Sequence, residues 1–270
     1  MIFILGPCAI SRDPGFNDIK YVTEEIQKVA NRFPHEEFWL RGGCWKPRTS
    51  TFSYQGAGKL GFEKMLREYQ NCVNNCSTDD NIISGICVEV MDEEQYHYVK
   101  ERCEEEKVEV IFQIGSRNMQ NFSLLRTLNE SDNLILLKRG FGNTVEEFIA
   151  ARNYMPKAMV YGCERGIRTF SDSSRFTLDL AAIPKIHQEA NMIPVIVDPS
   201  HAAGYTPHVE PLALAAVAVG ADGLMIETQN TPYGACCDKA QALPLDKLPA
   251  LIEKCLAIKT ALELEKVKNL

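Results

Sequence analysis

Basic side chains gather where short apolar runs of the sequence end. Because arginine holds phosphate and carboxylate oxygens through paired hydrogen bonds, several such residues at one edge favour a ligand with more than one anionic group. The whole chain has a formal net charge of −7, so a general excess of cations does not explain them. The pattern predicts a site for a small polyanion, built from Arg41, Lys46, Arg48, Arg117, Lys138, Arg139, Arg165 and Arg168.

A second set of side chains carries metal-ligating chemistry. Cys8 follows the first apolar run, His201 follows the seventh, Glu227 ends the eighth and Asp238 lies in the segment beyond. A thiolate, an imidazole and two carboxylates together suit a divalent transition ion. Each residue alone has an ordinary structural explanation, since single motif matches often arise by chance. Their convergence on one end of neighbouring strands makes a metal site the favoured interpretation.

The other cysteines leave alternatives open. The chain has ten cysteines and no C-x-x-C pair, which argues against a structural zinc knuckle. Cys44, Cys87 and Cys163 also lie in or beside predicted strand ends and stay possible ligands. The first residues lack a basic signal-peptide region, so the many thiols indicate a reducing compartment and a cytoplasmic location.

The elements that must position these residues alternate along the chain. Apolar β-type runs cover 2–7, 38–41, 82–88, 108–114, 134–138, 158–162, 194–197 and 223–227. Amphipathic helical segments follow them at 16–31, 61–74, 92–105, 119–128, 145–155, 178–189, 209–219 and 245–264. Eight successive βα units predict an α/β fold, a single (β/α)8 TIM barrel over residues 1–270. An open doubly wound sheet is the alternative, but the first turn lacks its glycine-rich fingerprint.

Charge and hydropathy exclude two classes of partner. An acidic chain is a poor match for nucleic acid or for an anionic membrane surface. The apolar stretches fall far short of the ~20 residues that cross a bilayer. We therefore expect small-molecule substrates, with neither nucleic acid nor membrane as a partner.

With these motifs in place, the chain resembles the 3-deoxy-D-arabino-heptulosonate 7-phosphate synthases, in their short β-type class. The matching segments run in family order over nearly the whole chain. They are G-P-C-A-I-S at 6–11, R-G-G-C-W-K-P-R-T-S at 41–50, F-S-Y-Q-G at 52–56, Q-I-G-S-R-N-M-Q-N-F at 113–122, L-L-K-R-G at 136–140, E-R-G-I-R-T-F at 164–170, R-F-T-L-D-L at 175–180, V-D-P-S-H-A-A-G at 197–204 and G-A-D-G-L-M-I-E at 220–227.

The resemblance implies roles for the residues already singled out. The family's metal ligands correspond to Cys8, His201, Glu227 and Asp238, with Mn²⁺ expected and Co²⁺, Zn²⁺ or Fe²⁺ as alternatives. The phosphoenolpyruvate clamp corresponds to Arg41, Lys46, Arg117, Lys138 and Arg168. The aldose phosphate groove corresponds to Arg48, Thr49 and Ser50. The implied reaction condenses phosphoenolpyruvate with erythrose 4-phosphate, the first step of the shikimate pathway.

Within that reaction, Lys46 is the expected proton donor to the new hydroxyl, and Cys8 and His201 act through the metal. Crowded cationic neighbours are expected to tune the Lys46 ammonium for this task. The resemblance also implies a homodimer or homotetramer. The chain starts almost at its first strand, from which we expect no separate regulatory domain.

Several segments depart from the family pattern. The segment after Glu227 reads T-Q-N-T-P at 228–232, where relatives commonly have H-P-x-P, and C-D-K at 237–239 stands where S-D-G or S-D-S is usual. Relatives that make 3-deoxy-D-manno-octulosonate 8-phosphate carry A-N-R-T-S in the loop after the second strand, where this chain has K-P-R-T-S at 46–50. Two alternatives stay open: the same chemistry on arabinose 5-phosphate or another aldose phosphate, and a non-catalytic paralogue.

Overall fold

Eight parallel strands close into a barrel in the computed structural model, which describes residues 1–13, 19–48, 50–77, 81–190, 193–230 and 237–268. Each strand pairs with the next along the chain, and the first also pairs with the eighth, so that Ile4 lies between Trp39 and Met225. In an open sheet the first and eighth strands would not pair with each other. The barrel strands are β1 Ile2–Gly6, β2 Glu37–Arg41, β3 Gly85–Glu89, β4 Val110–Ile114, β5 Leu134–Lys138, β6 Met159–Glu164, β7 Val195–Val197 and β8 Gly223–Gln229.

The strands are apolar on both faces because both faces are covered. In β1, Phe3 and Leu5 face the helices while Ile4 points into the barrel. Burying each such large side chain contributes about 1.5–3 kcal/mol. Every strand adds to the layer inside the barrel, which consists of Ile4, Trp39, Cys87, Ile111, Leu136, Tyr161, Cys163, Ile196 and Met225. This packed layer supports the site at the carboxyl ends of the strands from below.

The helices follow the strands as the alternation predicts. Two helices begin at side-chain N-caps. Asp92 accepts a hydrogen bond from the Gln95 N–H, and Thr144 forms a capping box with Glu147. They are α1 Ile19–Arg32, α2 Gly58–Asn74, α3 Glu93–Glu106, α4 Phe122–Thr127, α5 Val145–Arg152, α6 Ala182–Glu189, α7 Pro199–Ala203, α8 Thr206–Ala218 and α9 Leu248–Lys268. A two-residue strand, β9 Leu243–Pro244, extends the sheet beyond β8.

Two features differ from the expected elements. The five-residue helix α7 was not predicted, because a helix this short has no measurable hydrophobic period. The third strand begins at Gly85 rather than at residue 82. Glycine is needed at this first position because an added Cβ would lie 2.3 Å from the Glu109 carbonyl oxygen. None of the helices in the described part of the chain is long and apolar enough to cross a membrane.

Candidate active site

The carboxyl ends of the strands surround one cavity, which we call the site cavity. Side chains from β2, β3, β4, β5, α7 and the connecting loops reach it. Among the described residues its walls carry seven Lys or Arg side chains and two carboxylates. The lining residues are Cys8, Arg41, Lys46, Pro47, Arg48, Glu89, Gln113, Gly115, Ser116, Arg117, Lys138, Phe141, Arg165, Arg175, His201 and Asp238. This charge balance fits the anionic ligand expected from the sequence.

The metal-ligand cluster predicted from the sequence forms at one wall of this cavity. One ligand atom from each of Cys8, His201, Glu227 and Asp238 lies within 4.8 Å of the others. Cys8 Sγ lies 3.4 Å from His201 Nε2 and 3.2 Å from Asp238 Oδ2, and His201 Nε2 lies 3.7 Å from Glu227 Oε2. The alternative cysteine ligands, Cys44, Cys87 and Cys163, are outside this group in the described chain.

Local backbone geometry brings the four ligands together. Helix α7 begins at Pro199, and Gly204 ends it in a left-handed conformation (φ +69°), so the single turn presents His201 at the cavity. The Ser200 hydroxyl accepts the Glu227 N–H at 3.0 Å and so ties this turn to β8. Asp238 itself has φ +52°, a conformation that side-chain-bearing residues seldom adopt, which fits a functional constraint.

Two of the four cluster residues hold their protons more tightly than is usual for their side chains. A hydrogen bond between the Cys8 and Cys237 side chains, together with burial, raises the pKa of the Cys8 thiol to about 12. Burial and the neighbouring Cys8 raise the pKa of Glu227 well above its ordinary range. A bound metal must displace such protons, so its affinity depends on pH.

The pKa of Asp238 is shifted in the opposite direction. Burial alone would raise the pKa of Asp238, but His201, Arg175, Cys8 and Arg48 outweigh it and hold the pKa far below its usual value.

The cluster fits a divalent transition ion. Glu227 is fully buried and its Oε1 has no hydrogen-bond partner among the described residues. An unsatisfied buried carboxylate oxygen is costly, and a cation at this position would satisfy it. Soft sulfur, imidazole nitrogen and two carboxylates form the donor set of such an ion. Gln241 Nε2 donates to the other oxygen, Oε2, at 2.7 Å and fixes the carboxylate.

Asp198 orients the histidine, and the sequence argument had not singled it out. Its Oδ1 accepts the His201 backbone N–H at 2.9 Å, and its Oδ2 lies 2.8 Å from His201 Nδ1. That contact leaves Nε2 as the nitrogen that faces Cys8, the arrangement usual for a ligating histidine. Lys138 forms an ion pair with the same Asp198 carboxylate. Burial opposes ionisation, but His201 and Lys138 outweigh it and lower the pKa of Asp198 far below its usual value.

Several guanidinium groups in the cavity have a nitrogen without a hydrogen-bond partner among the described residues. Arg41 Nη1, Arg48 Nη2 and Arg165 Nη1 are buried and have no hydrogen-bond partner among the described residues. Arg41 and Arg165 are 2% and 4% exposed, so bulk water satisfies neither. Burial lowers the pKa of Arg165 from its ordinary value, which reflects the cost of holding this charge without an adjacent anion. An anionic ligand would remove that cost.

Lys46 occupies the centre of the site. Its ammonium donates to the Cys8 carbonyl oxygen at 3.0 Å and lies 3.4 Å from Cys8 Sγ and 3.2 Å from Glu89 Oε2. Burial would lower the pKa of Lys46, but Cys8 and Glu89 outweigh it and raise that pKa. The sequence argument counted the cationic neighbours and not these acidic ones. Lys46 is therefore held protonated.

Only some of the remaining predicted residues line the cavity. Arg117 lines the cavity, whereas Arg168 is exposed and lies outside its walls, where Arg165 stands instead. Arg139 pairs with Glu164 at 2.8 Å and with Asp179 at 2.9 Å, also outside the cavity. The other two predicted residues belong to the expected aldose phosphate groove: Thr49 is outside the described residues, and Ser50 is exposed and outside the lining.

Other lining residues were missed from the sequence. Glu89 ends β3 and Gln113 lies near the end of β4, so reading every strand end in the same way would have found both. Phe141 and Arg175 come from loops and carry no such signal.

Comparison with known proteins agrees with the fold. The family model described as "DAHP synthetase I family" matches residues 1–263. A Thermotoga maritima protein named phospho-2-dehydro-3-deoxyheptonate aldolase is 36% identical over 263 residues, 96% of this chain and 70% of that one. A Nitratidesulfovibrio vulgaris 2-dehydro-3-deoxyphosphooctonate aldolase is 27% identical over 277 residues, 95% and 91% of the two chains. The crystal structure of the Thermotoga maritima DAHP synthase superposes with a TM-score of 0.80 at 33% identity, covering 97% of this chain and 70% of that one.

Proposed function

This chain belongs to the DAHP synthetase I family, and from that premise we propose that it condenses phosphoenolpyruvate with erythrose 4-phosphate. The products are 3-deoxy-D-arabino-heptulosonate 7-phosphate and inorganic phosphate. The observation that carries the proposal is one cavity in which guanidinium nitrogens without a hydrogen-bond partner lie beside the metal-ligand cluster. The coarser activity, condensation of phosphoenolpyruvate with an aldose phosphate, is that of the family.

Several cationic side chains together bind the anionic groups of phosphoenolpyruvate. Phosphoenolpyruvate carries a phosphate and a carboxylate, which need several N–H donors at fixed positions. Arg41, Lys138 and Arg165 are buried side chains of the cavity wall, and the exposed Arg117 lines its outer part. We assign the phosphoenolpyruvate clamp to these four together with Lys46, so Arg165 takes the position expected for Arg168. The clamp fixes the reacting carbon opposite the aldehyde and so lowers the entropic cost of reaction.

The metal-ligand cluster supplies Lewis-acid chemistry. When bound, a divalent ion held by Cys8, His201, Glu227 and Asp238 would polarise the aldehyde oxygen. Mn²⁺ is the ion that we propose, with Co²⁺, Zn²⁺ or Fe²⁺ as substitutes that the same donors accept. The carboxylates and imidazole suit all four ions, and the thiolate disfavours Mg²⁺ and Ca²⁺.

The bonds and protons balance as follows. The C3 carbon of phosphoenolpyruvate forms a bond to the aldehyde carbon, and water adds at C2. The C2 carbonyl then forms as phosphate leaves with its bridging oxygen by C–O cleavage. One proton of the added water replaces the proton given to the new hydroxyl, and the other leaves with the phosphate. Lys46 Nζ lies 3.0 Å from the carbonyl oxygen of Cys8, a member of the metal-ligand cluster, and this proximity supports a role for its ammonium in proton transfer. We propose that Lys46 Nζ gives its proton to the hydroxyl formed there.

The direct test measures phosphate release from phosphoenolpyruvate with a panel of aldose phosphates. We expect erythrose 4-phosphate to give the highest kcat/KM, and arabinose 5-phosphate, one carbon longer, to be a poor substrate. A higher kcat/KM with arabinose 5-phosphate would overturn the assignment of the aldose. Absence of phosphate release with every aldose, in protein that is folded and loaded with metal, would indicate the non-catalytic paralogue.

Arg48 provides a prediction for the aldose phosphate alone. It lines the cavity, its Nη2 has no partner among the described residues, and its Nη1 lies 3.5 Å from Asp238 Oδ2. We expect Arg48→Ala to raise the KM for erythrose 4-phosphate about tenfold to a hundredfold, because a charge-assisted contact is worth about 1.5–3 kcal/mol. The KM for phosphoenolpyruvate should change little. Steady-state kinetics with each substrate varied in turn measure both constants.

A matched control separates this effect from a general loss of charge. Arg67 lies on α2 beside Glu68 and is 65% exposed, so Arg67→Ala removes the same charge away from the cavity. We expect wild-type constants for that variant. An equal rise in both Michaelis constants for Arg48→Ala would place Arg48 outside the aldose phosphate groove. Metal content measured in parallel would reveal any effect that acts through Asp238.

A further inference from the structure

Two phenylalanine rings stack at the edge of the site cavity. Phe141 follows β5 and Phe176 lies in the loop between β6 and α6. Their centroids are 4.8 Å apart and their planes differ by 10°. We call them the phenylalanine pair. Neither ring contains a polar atom, yet Phe141 forms part of the wall of a strongly cationic cavity. Hydrophobic packing alone does not explain that position.

Guanidinium groups surround the phenylalanine pair. The Arg165 guanidinium carbon lies 4.7 Å from the centre of the Phe141 ring and 4.3 Å from that of Phe176. Arg117 and Arg168 lie over Phe141 at 5.2 Å and 5.7 Å, and Arg175 lies over Phe176 at 5.8 Å. All these distances are within the ~6 Å range of a cation–π contact.

A phenyl ring and a carboxylate hold a guanidinium group in different ways. A carboxylate would hold a guanidinium more strongly, but it would occupy the N–H groups and repel an incoming anion. Arg139 illustrates this alternative, because Glu164 and Asp179 both bind it and it lies outside the cavity. The face of a phenyl ring attracts a cation without accepting its in-plane hydrogen bonds. Arg165 therefore keeps Nη1 unpaired among the described residues, while Nη2 donates to the His201 carbonyl oxygen at 3.3 Å.

Backbone contacts hold both rings in place. The Phe141 carbonyl oxygen accepts the Arg168 N–H at 2.8 Å, and the Phe176 N–H donates to the Ala202 carbonyl oxygen at 2.9 Å. Gly166 has φ +92°, and a Cβ there would lie 2.7 Å from that of Phe176. Glycine thus allows the chain after Arg165 to turn directly against the second ring. The phenylalanine pair is thus fixed to the loop after β6 and to α7.

We propose that Phe141 and Phe176 are positioning residues that hold Arg165 and Arg117 in place for the anionic substrate without neutralising them. The inference rests on the proposed function, which identifies that anion as phosphoenolpyruvate. Because the pair acts on substrate binding and contributes no atom to the metal-ligand cluster, its loss should alter KM rather than kcat.

The test compares Phe141→Leu with Phe141→Tyr. Leucine keeps an apolar side chain and removes the ring, whereas tyrosine keeps the ring. We expect Phe141→Leu to raise the KM for phosphoenolpyruvate about tenfold with kcat nearly unchanged, since it loses three cation–π contacts. Phe141→Tyr should keep the wild-type KM. Calorimetric titration with phosphoenolpyruvate, and separately with inorganic phosphate, should give the same ratio of dissociation constants.

A second aromatic stack supplies the matched control. Phe122 stacks on Tyr154 at 4.5 Å, and Arg126 lies over that Tyr154 ring at 5.0 Å, outside the cavity lining. Phe122→Leu should therefore leave both anions bound as in the wild type. Equal affinities for Phe141→Leu and Phe122→Leu, or failure of Phe141→Tyr to restore affinity, would overturn the proposal. If the wild type binds inorganic phosphate but not phosphoenolpyruvate, the proposed function fails, and the phosphate titrations still decide the role of the ring.

Discussion

Cys8→Ala is expected to abolish stoichiometric metal binding and to lower turnover by about three orders of magnitude. The thiolate is one of four ligands, and Lewis-acid stabilisation by the metal is worth several kcal/mol of the barrier. The fold should persist, because Cys8 lies after β1 and alanine keeps its backbone contacts. Elemental analysis of the purified variant measures the metal, and phosphate release from phosphoenolpyruvate measures turnover.

Two further measurements make this result specific. Cys44 is also buried and lies in the same loop as the cavity cations, but it is outside the metal-ligand cluster, so Cys44→Ala should retain both metal and activity. Chelation of the wild type should reproduce the Cys8→Ala phenotype, and added Mn²⁺, Co²⁺ or Zn²⁺ should reverse it in the wild type alone. Full turnover of metal-free protein would contradict the assignment of the cluster.

The fold could be predicted from the sequence because its signal repeats. Each strand is a short apolar run buried on both faces, and a longer amphipathic segment follows it, so eight units reinforce one another. The same rule, that chemistry lies at the carboxyl ends of the strands, predicted that the four residues of the metal-ligand cluster would come together. Cys8, His201 and Glu227 come from strands or turns that become neighbours only when the barrel closes.

The direction of individual side chains could not be predicted in this way. Arg165 and Arg168 are three residues apart in one loop, and the sequence does not show which of them faces the ligand. Gly166 decides it, because its positive φ turns the chain after Arg165, which stays buried while Arg168 emerges into solvent. Arg139 was expected in the cation cluster, but Glu164 and Asp179 draw it away. Such contacts depend on pairings between distant segments, which local patterns do not contain.

The Lys46 environment shows the same limit in its electrostatics. The cationic neighbours of Lys46 along the sequence suggested that repulsion would shift the pKa of its ammonium. The buried Glu89 carboxylate, brought by β3, lies 3.2 Å away and acts in the opposite direction together with Cys8. Glu89 is 43 residues further along the chain, so only the closed barrel reveals the pair.

Lys46→Met is expected to lower kcat by about two to four orders of magnitude, the usual contribution of a positioned general acid. Methionine is similar in length and apolar, so it removes the proton and the charge while keeping most of the packing. The variant also leaves the Glu89 carboxylate buried without its partner, which costs about 3–5 kcal/mol of stability. We therefore expect a lower Tm together with the lower kcat, measured by thermal unfolding and by steady-state kinetics.

The double variant Lys46→Met/Glu89→Gln separates these two effects. A neutral amide at position 89 removes the unpaired charge, so the Tm should recover most of its loss. If Lys46 gives the proton, kcat should stay as low as in the single variant, and Glu89→Gln alone should lose much less. Lys100 offers a control, since it pairs with Glu130 away from the cavity and Lys100→Met should keep the wild-type kcat. Recovery of kcat along with Tm in the double variant would mean that Lys46 only stabilises Glu89, and that the proton reaches the new hydroxyl from another group.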